Sequence, residues 1–190
     1  MLNRVARILT LSVCLAVLAV VVVASPSWAA REAYLIVNGV TQGVIQGDST
    51  AKIAPNAIVV QAIGLGLSIP VTTTPGGGSA VGRANVEPFK IAKFPDKASP
   101  KLLLAALTSE SLKLDLTWFG ADLAGAPVAK TFSISLEGAI ITGIETSGAT
   151  TVANGVTEEI SFTFNKITFR DERTSPATVT CWDLVLNRKC

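Results

Sequence analysis

The chain has 190 residues, 49% of them hydrophobic, with 16 Lys and Arg, 14 Asp and Glu, and no histidine. The missing histidine removes the commonest general base and metal ligand. A formal charge of only +2 leaves no clustered basic surface of the kind phosphate backbones require, so nucleic acid is not an expected partner.

The N-terminus differs in kind from the rest of the chain. Met1 to Arg7 carries Arg4 and Arg7 and no acid, Ile8 to Ala24 is an unbroken apolar and small-residue run, and Ser25-Pro26-Ser27-Trp28-Ala29-Ala30 comes next. A basic n-region, an apolar h-region and a small-residue site make a secretory signal peptide. Cleavage is expected after Ala29, which places Ser27 and Ala29 at the inspected positions; cleavage after Ala30 would place bulky Trp28 there. An uncleaved anchor is the competing reading, because the run approaches the length of a membrane span. Cys14 follows Val13, where lipid attachment would need a small residue. Loss of Arg4 and Arg7 leaves fourteen basic residues against fourteen acidic ones, so the basic balance belongs to the signal. Residues 30–190 then form one domain of ordinary size, secreted or periplasmic, touching a membrane only through the signal segment before cleavage.

Along this domain, Tyr34 to Val40 and Ile58 to Ile69 are expected to be β-rich. The second is apolar on both faces, which points to a strand covered on two sides. Gly64 and Gly66 within it point to bending or close backbone approach. Thr72-Thr73-Thr74-Pro75-Gly76-Gly77-Gly78-Ser79-Ala80 is a flexible polar loop. It leads into a strand and lacks the Gly-Lys-Ser/Thr of a phosphate loop. Ser99 to Leu107 predicts a short helix, ending near residue 109, with Ser99 as N-cap and Pro100 in the first helical position.

Strands with period two come after the helix. Leu112, Leu114, Leu116 and Trp118 alternate with Lys113, Asp115 and Thr117, so one face is buried and the other wet. Phe132, Ile134 and Leu136 repeat the pattern, as do Ile160, Phe162 and Phe164. The apolar phase then slips by one to Ile167 and Phe169, which predicts a bulge near Asn165-Lys166. Trp182, Leu184 and Leu186 alternate near the end. Cys181 and Cys190, an even pair in an exported chain, are expected to form a disulfide contributing about 2–3 kcal/mol.

Catalytic chemistry is sparse, and no catalytic, cofactor or metal site is assigned. The cysteines lack Cys-x-x-Cys spacing and the serines lack a Gly-x-Ser-x-Gly elbow. Glu158-Glu159 and Asp171-Glu172 are the only acidic doublets, read as solvated charge at strand ends, and Asp48, Asp96 and Asp122 as turn or cap residues. An enzyme is therefore not expected.

Specific residues carry the reading further. Pro95-Asp96-Lys97-Ala98-Ser99-Pro100-Lys101-Leu102, followed by apolar Leu103 to Leu107, resembles the Asp-Lys-Ala-Ser-Pro-x-Leu signature of the haemolysin-coregulated proteins, the Hcp family of type VI secretion. In matching order, Gly76 to Gly82 resembles that family's Gly-rich loop, and Arg83 to Phe94 its next strand, with Phe89-x-Ile91-x-Lys93. Thr131 to Ile144 resembles the long strand after the helix, and Glu158 to Ile167 the Glu-x-Val-x-Leu-x-Phe segment. Cys181-Trp182-Asp183-Leu184 through Lys189 is similar to the closing Trp-Asp strand of longer members. Together these cover roughly Tyr34 to Lys189.

The resemblance implies a mostly-β fold: a β-barrel of two packed antiparallel sheets with one short flanking helix. It implies a homo-oligomeric, hexameric ring that stacks into tubes, with protein cargo or secretion-apparatus components as further partners. In relatives the Gly-rich loop reaches from ring to ring, which makes Thr72 to Ala80 the expected stacking element. The chain departs from the pattern in its signal peptide, in its tail cysteine pair, and in Gln61-Ala62-Ile63-Gly64-Leu65-Gly66 where relatives carry Trp-x-Trp. A monomeric barrel that binds a glycan, a small ligand or a protein partner is the alternative; Trp118 and Phe119 beside Gly120 are its one candidate platform.

Overall fold

The computed structural model describes residues 32–73, 76–120, 129–148 and 155–190. The expected signal peptide, residues 1–29, and Asp122 lie outside the described residues. In chain order come β1 (Glu32–Gly39), β2 (Gly43–Ile45), β3 (Ile58–Val60), β4 (Ala62–Gly64), β5 (Leu67–Ser68), β6 (Val71–Thr73), β7 (Ser79–Val81), β8 (Asn85–Val86) and β9 (Phe89–Lys93). Helix α1 (Ser99–Leu107) is next, then β10 (Leu112–Gly120), β11 (Ala129–Gly148), β12 (Val156–Thr163), β13 (Lys166–Asp171), β14 (Thr178–Asp183) and β15 (Arg188–Lys189). The expected mostly-β class with a single short helix is what the described residues adopt.

Antiparallel pairing closes on itself. β10 pairs with β1, β1 with β3, β4 with β9, β9 with β12, β12 with β11, and β11 again with β10. Gln61 links β3 to β4 and donates its N–H to the Ala92 carbonyl at 2.8 Å. Closure of this kind removes exposed ladder edges. β13, β14 and β15 extend the sheet beyond the first half of β11.

The alternating residues meet in one core. Leu35, Val37, Leu112, Leu114, Leu116, Ile134 and Leu136 come from one sheet, Phe89, Ile91, Ile160 and Phe162 from the other, and all are buried. Helix α1 adds Leu102 and Ala105. Each large apolar side chain contributes about 1.5–3 kcal/mol on burial, against about 0–1 kcal/mol for an exposed ion pair. Apolar packing therefore holds the sheets together.

The phase slip has a different cause from a bulge at Asn165-Lys166. Glu137 pairs with Lys166 and Ile140 with Thr163, so two residues on each strand separate the ladders and the register is unchanged. Both strands turn over together, which makes a corner and not a bulge. The extra residue lies in β11 instead: its register shifts against β10 between Leu112 and Leu114. Gly138 supplies the corner with φ +60°, and a Cβ there would come within 2.5 Å of Asn165 Nδ2. The Asn165 N–H in turn donates to the Glu137 carbonyl at 3.0 Å.

Two further expectations are corrected. Ala98, not Ser99, is the N-cap residue, with no side-chain cap bond, because the Ser99 hydroxyl is drawn inward to a charged cluster. The alternation of Trp182, Leu184 and Leu186 is not one strand: β14 ends at Asp183, where Asp183 Oδ1 accepts the Leu186 N–H at 2.8 Å, and Asn187 turns with φ 51°. Leu186 is exposed as a result.

Candidate assembly surface

The stretch from Gly66 to Glu87 leaves the barrel as a two-stranded arm. β5 pairs with β8 and β6 with β7. Between them Pro70, which has no N–H to give, only accepts: its carbonyl takes the Gly82 N–H at 2.8 Å. At the base the Gly66 carbonyl takes the Glu87 N–H at 2.9 Å, and a Cβ on Gly66 would collide with the Glu87 carboxylate. That close approach is the one expected of this glycine. Gly64 meets nothing nearer than ordinary contact.

The arm overturns two expectations. Ile58 to Ile69 is not one covered strand but three short ones, and Leu65, Leu67 and Ile69 stand exposed. The loop Thr72 to Ala80 is not wholly irregular: Thr72 and Thr73 pair with Ala80 and Ser79, while Gly76, Gly77 and Gly78 sit exposed toward its tip and Thr74 and Pro75 lie outside the described residues. Leu67 is 63% exposed, Val71 57% and Val81 69%. An isolated two-stranded ribbon is marginal in water, and apolar residues gathered on such a ribbon mark an interaction surface.

The base of the arm faces the C-terminal hairpin. Leu65, Leu67, Val86, Phe169, Trp182 and Leu184 line an apolar groove of about 380 Å³, and the Arg83 guanidinium donates to the Leu184 carbonyl. Cys181 and Cys190 are joined by the expected disulfide, Cα to Cα 5.4 Å, which closes the β14–β15 hairpin.

A buried charged cluster holds α1 against the β9–β12 ladder. Lys93 Nζ lies 2.7 Å from Glu158 Oε2, 2.8 Å from Asp96 Oδ1 and 2.9 Å from both Ser99 Oγ and the Phe94 carbonyl. Ser99 Oγ donates to Glu158 Oε2 at 2.6 Å, and Asp96 Oδ1 accepts the Ala98 N–H at 3.0 Å. The Asp-Lys-Ala-Ser-Pro stretch is thus a structural lock: Asp96 and Ser99 point inward, Ala98 is fully buried, and Lys97 turns outward to Asn56 at 3.3 Å. Glu158 is therefore not solvated charge at a strand end. It lies within β12 and is buried, while Glu159 is exposed and pairs with Lys90 at 2.7 Å. Period two would have revealed this, since Lys93 and Glu158 continue the apolar faces of Phe89-Ile91 and Ile160-Phe162.

Elsewhere the charges serve local order. Glu110 accepts the N–H groups of Gln42 and Thr41 at 2.8 and 2.6 Å and the Gln42 amide at 2.8 Å; the Gln42 backbone bond first, then its amide, hold the carboxyl below its usual value. Asp171 grips Arg173 at 2.6 Å, and Asp48 lies 3.9 Å from Lys97. Trp118 and Phe119 do not form one platform. Trp118 packs on Phe132, ring centroids 5.4 Å apart, against the main core, whereas Phe119 packs on Tyr34 at 5.8 Å in a second cluster. Neighbours on a strand point to opposite faces, so the two rings separate.

The described residues thus form a closed antiparallel barrel with a locked helix and a protruding apolar arm. Over residues 34–170 the chain matches the family described as type VI secretion system effector, Hcp, and it belongs to that family. A major exported protein of Pseudomonas aeruginosa is 31% identical over 159 residues, 75% of this chain and 90% of that one. The secreted protein Hcp3 of Pseudomonas aeruginosa is 27% identical with a TM-score of 0.59, over 81% of this chain and 98% of that one. Hcp1 of the E. coli EAEC 042 pathovar shares the fold at 22% identity and a TM-score of 0.70, over 82% and 99% of the two chains.

Proposed function

We propose that the chain loses residues 1–29 on export and that the remaining domain forms hexameric rings, which stack into tubes outside the cytoplasm. Membership of the Hcp family supports self-association. The observation that carries the reading is the arm: Leu67, Val71 and Val81 stand in solvent on a ribbon too thin to stabilise itself, and a second copy's surface would cover them. Thr72 to Ala80 is the ring-stacking element at its end. The assembly works without turnover, through surfaces: protein cargo rides in the lumen, and components of a secretion apparatus are its outer partners.

Electron microscopy of residues 30–190 tests this. Six-membered rings, and at higher concentration stacks of rings, are expected. Isolated single barrels at every concentration would refute the reading.

A further inference from the structure

We propose that the disulfide-closed hairpin Cys181–Cys190 is a redox-conditional clasp for the arm, so that the arm is set for stacking only once the chain is oxidised. This rests on the reading of the arm as the stacking element. Three observations converge on it. The Arg83 guanidinium, at the arm's base, is bonded to the Leu184 carbonyl inside the hairpin loop. Trp182 and Leu184 of the same hairpin face Leu65, Leu67 and Val86 across the apolar groove. The hairpin is thin: β15 pairs with β14 through Trp182–Lys189 and Asp183–Arg188, the Cys190 N–H donates to the Cys181 carbonyl at 3.4 Å, Asp183 Oδ1 accepts the Leu186 N–H, and the β15 residues are exposed.

A ribbon that short frays unless it is tied. The disulfide is the tie, because it restricts the open states available to the nine-residue separation it spans. β14 stays paired with β13 along Thr178–Asp183 without it, and the Leu184 N–H stays on the Asn165 carbonyl at 2.8 Å. Opening the hairpin therefore loosens the Leu184–Val185 peptide whose carbonyl holds Arg83, while the barrel and the Trp182 side of the groove stay in place. In a reducing compartment the two thiols persist and the hold of Leu184 on Arg83 loosens. Outside it, one thiolate attacks the disulfide of a protein or glutathione disulfide oxidant and forms a mixed disulfide. The second thiolate then displaces the oxidant's remaining sulfur. Two electrons pass to the oxidant, whose two sulfurs leave as thiols with the two protons released by Cys181 and Cys190. Cys190 is exposed and Cys181 half-buried, within reach of such exchange. Ordering of the arm thereby follows export and not synthesis.

The test is site-resolved hydrogen exchange on residues 30–190, oxidised and reduced, with the Cys181→Ser/Cys190→Ser double variant and the oxidised Arg83→Ala variant alongside. The Gly82 and Glu87 amides, which hold the arm's two cross-links, should exchange about tenfold faster on reduction and in both variants. Exchange across β9 and β12 should not change. Equal rates at Gly82 and Glu87 in both redox states, or a loss of protection that spreads to β9 and β12, would overturn the clasp. Ring mass is read on the same oxidised sample: absence of rings there, with the exchange difference intact, removes the assembly reading and leaves the clasp.

Discussion

Lys93 and Glu158 face each other across β9 and β12, their charged ends 2.7 Å apart, with the Lys93 side chain wholly removed from solvent. The pair sits where the inner face of the ladder runs out and the start of α1 takes over. Breaking a buried pair strands the surviving charge and costs about 3–5 kcal/mol. Lys93→Met and Glu158→Gln should each lower the unfolding free energy from urea titration by that much, and the double variant by less than their sum, because the two effects share one cause. Additive losses would mean that the two groups act independently.

Gly138 is required by conformation and by space. With φ +60° and Asn165 Nδ2 where a Cβ would stand, Gly138→Ala should cost about 1–3 kcal/mol in thermal unfolding. Adding Asn165→Ala should recover the steric part and leave the backbone part. No loss in the single variant would show that the corner relaxes.

Stability below neutral pH should carry the mark of Asp171. The Arg173 side chain, then the Arg173 N–H, hold its carboxyl down to about 2, against about 3.9 in an unfolded chain. Because the folded value is the lower one, the contribution is complete above about pH 4 and disappears as pH falls through about 2. Urea midpoints of the parent and Asp171→Asn should therefore differ at pH 5 and converge toward pH 2; a constant gap would contradict this.

Arm substitutions should separate stacking from folding. Val81 is 69% exposed, so Val81→Asp should change the unfolding free energy by no more than about 0.5 kcal/mol. It should abolish stacks while rings persist, as read by sedimentation at rising concentration. Stacks that survive would move the contact away from β7.

Much of this architecture is written in local pattern. Leu112-Leu114-Leu116 and Ile160-Phe162-Phe164 are buried as their alternation implies, and the expected helix begins at Ser99 and ends at Leu107, just short of the expected 109. What alternation could not convey is pairing at a distance. The slip at Asn165 is a corner because Gly138, far away in sequence, turns with it. Ser99 abandons the cap because Lys93 and Glu158 compete for its hydroxyl. Exposure along Leu65 to Val81 was unreadable for the same reason: an apolar stretch in a core and one awaiting a second copy have the same composition. The cysteine pair was legible because two cysteines in a domain expected to be exported are constrained to pair without any knowledge of the fold.

As proposed, this barrel functions as an assembly built from copies of itself. Sedimentation velocity of oxidised residues 30–190 over a wide concentration range tests it most directly. A species of six times the protomer mass is expected, with longer stacks at high concentration; a single protomer mass throughout would refute self-assembly.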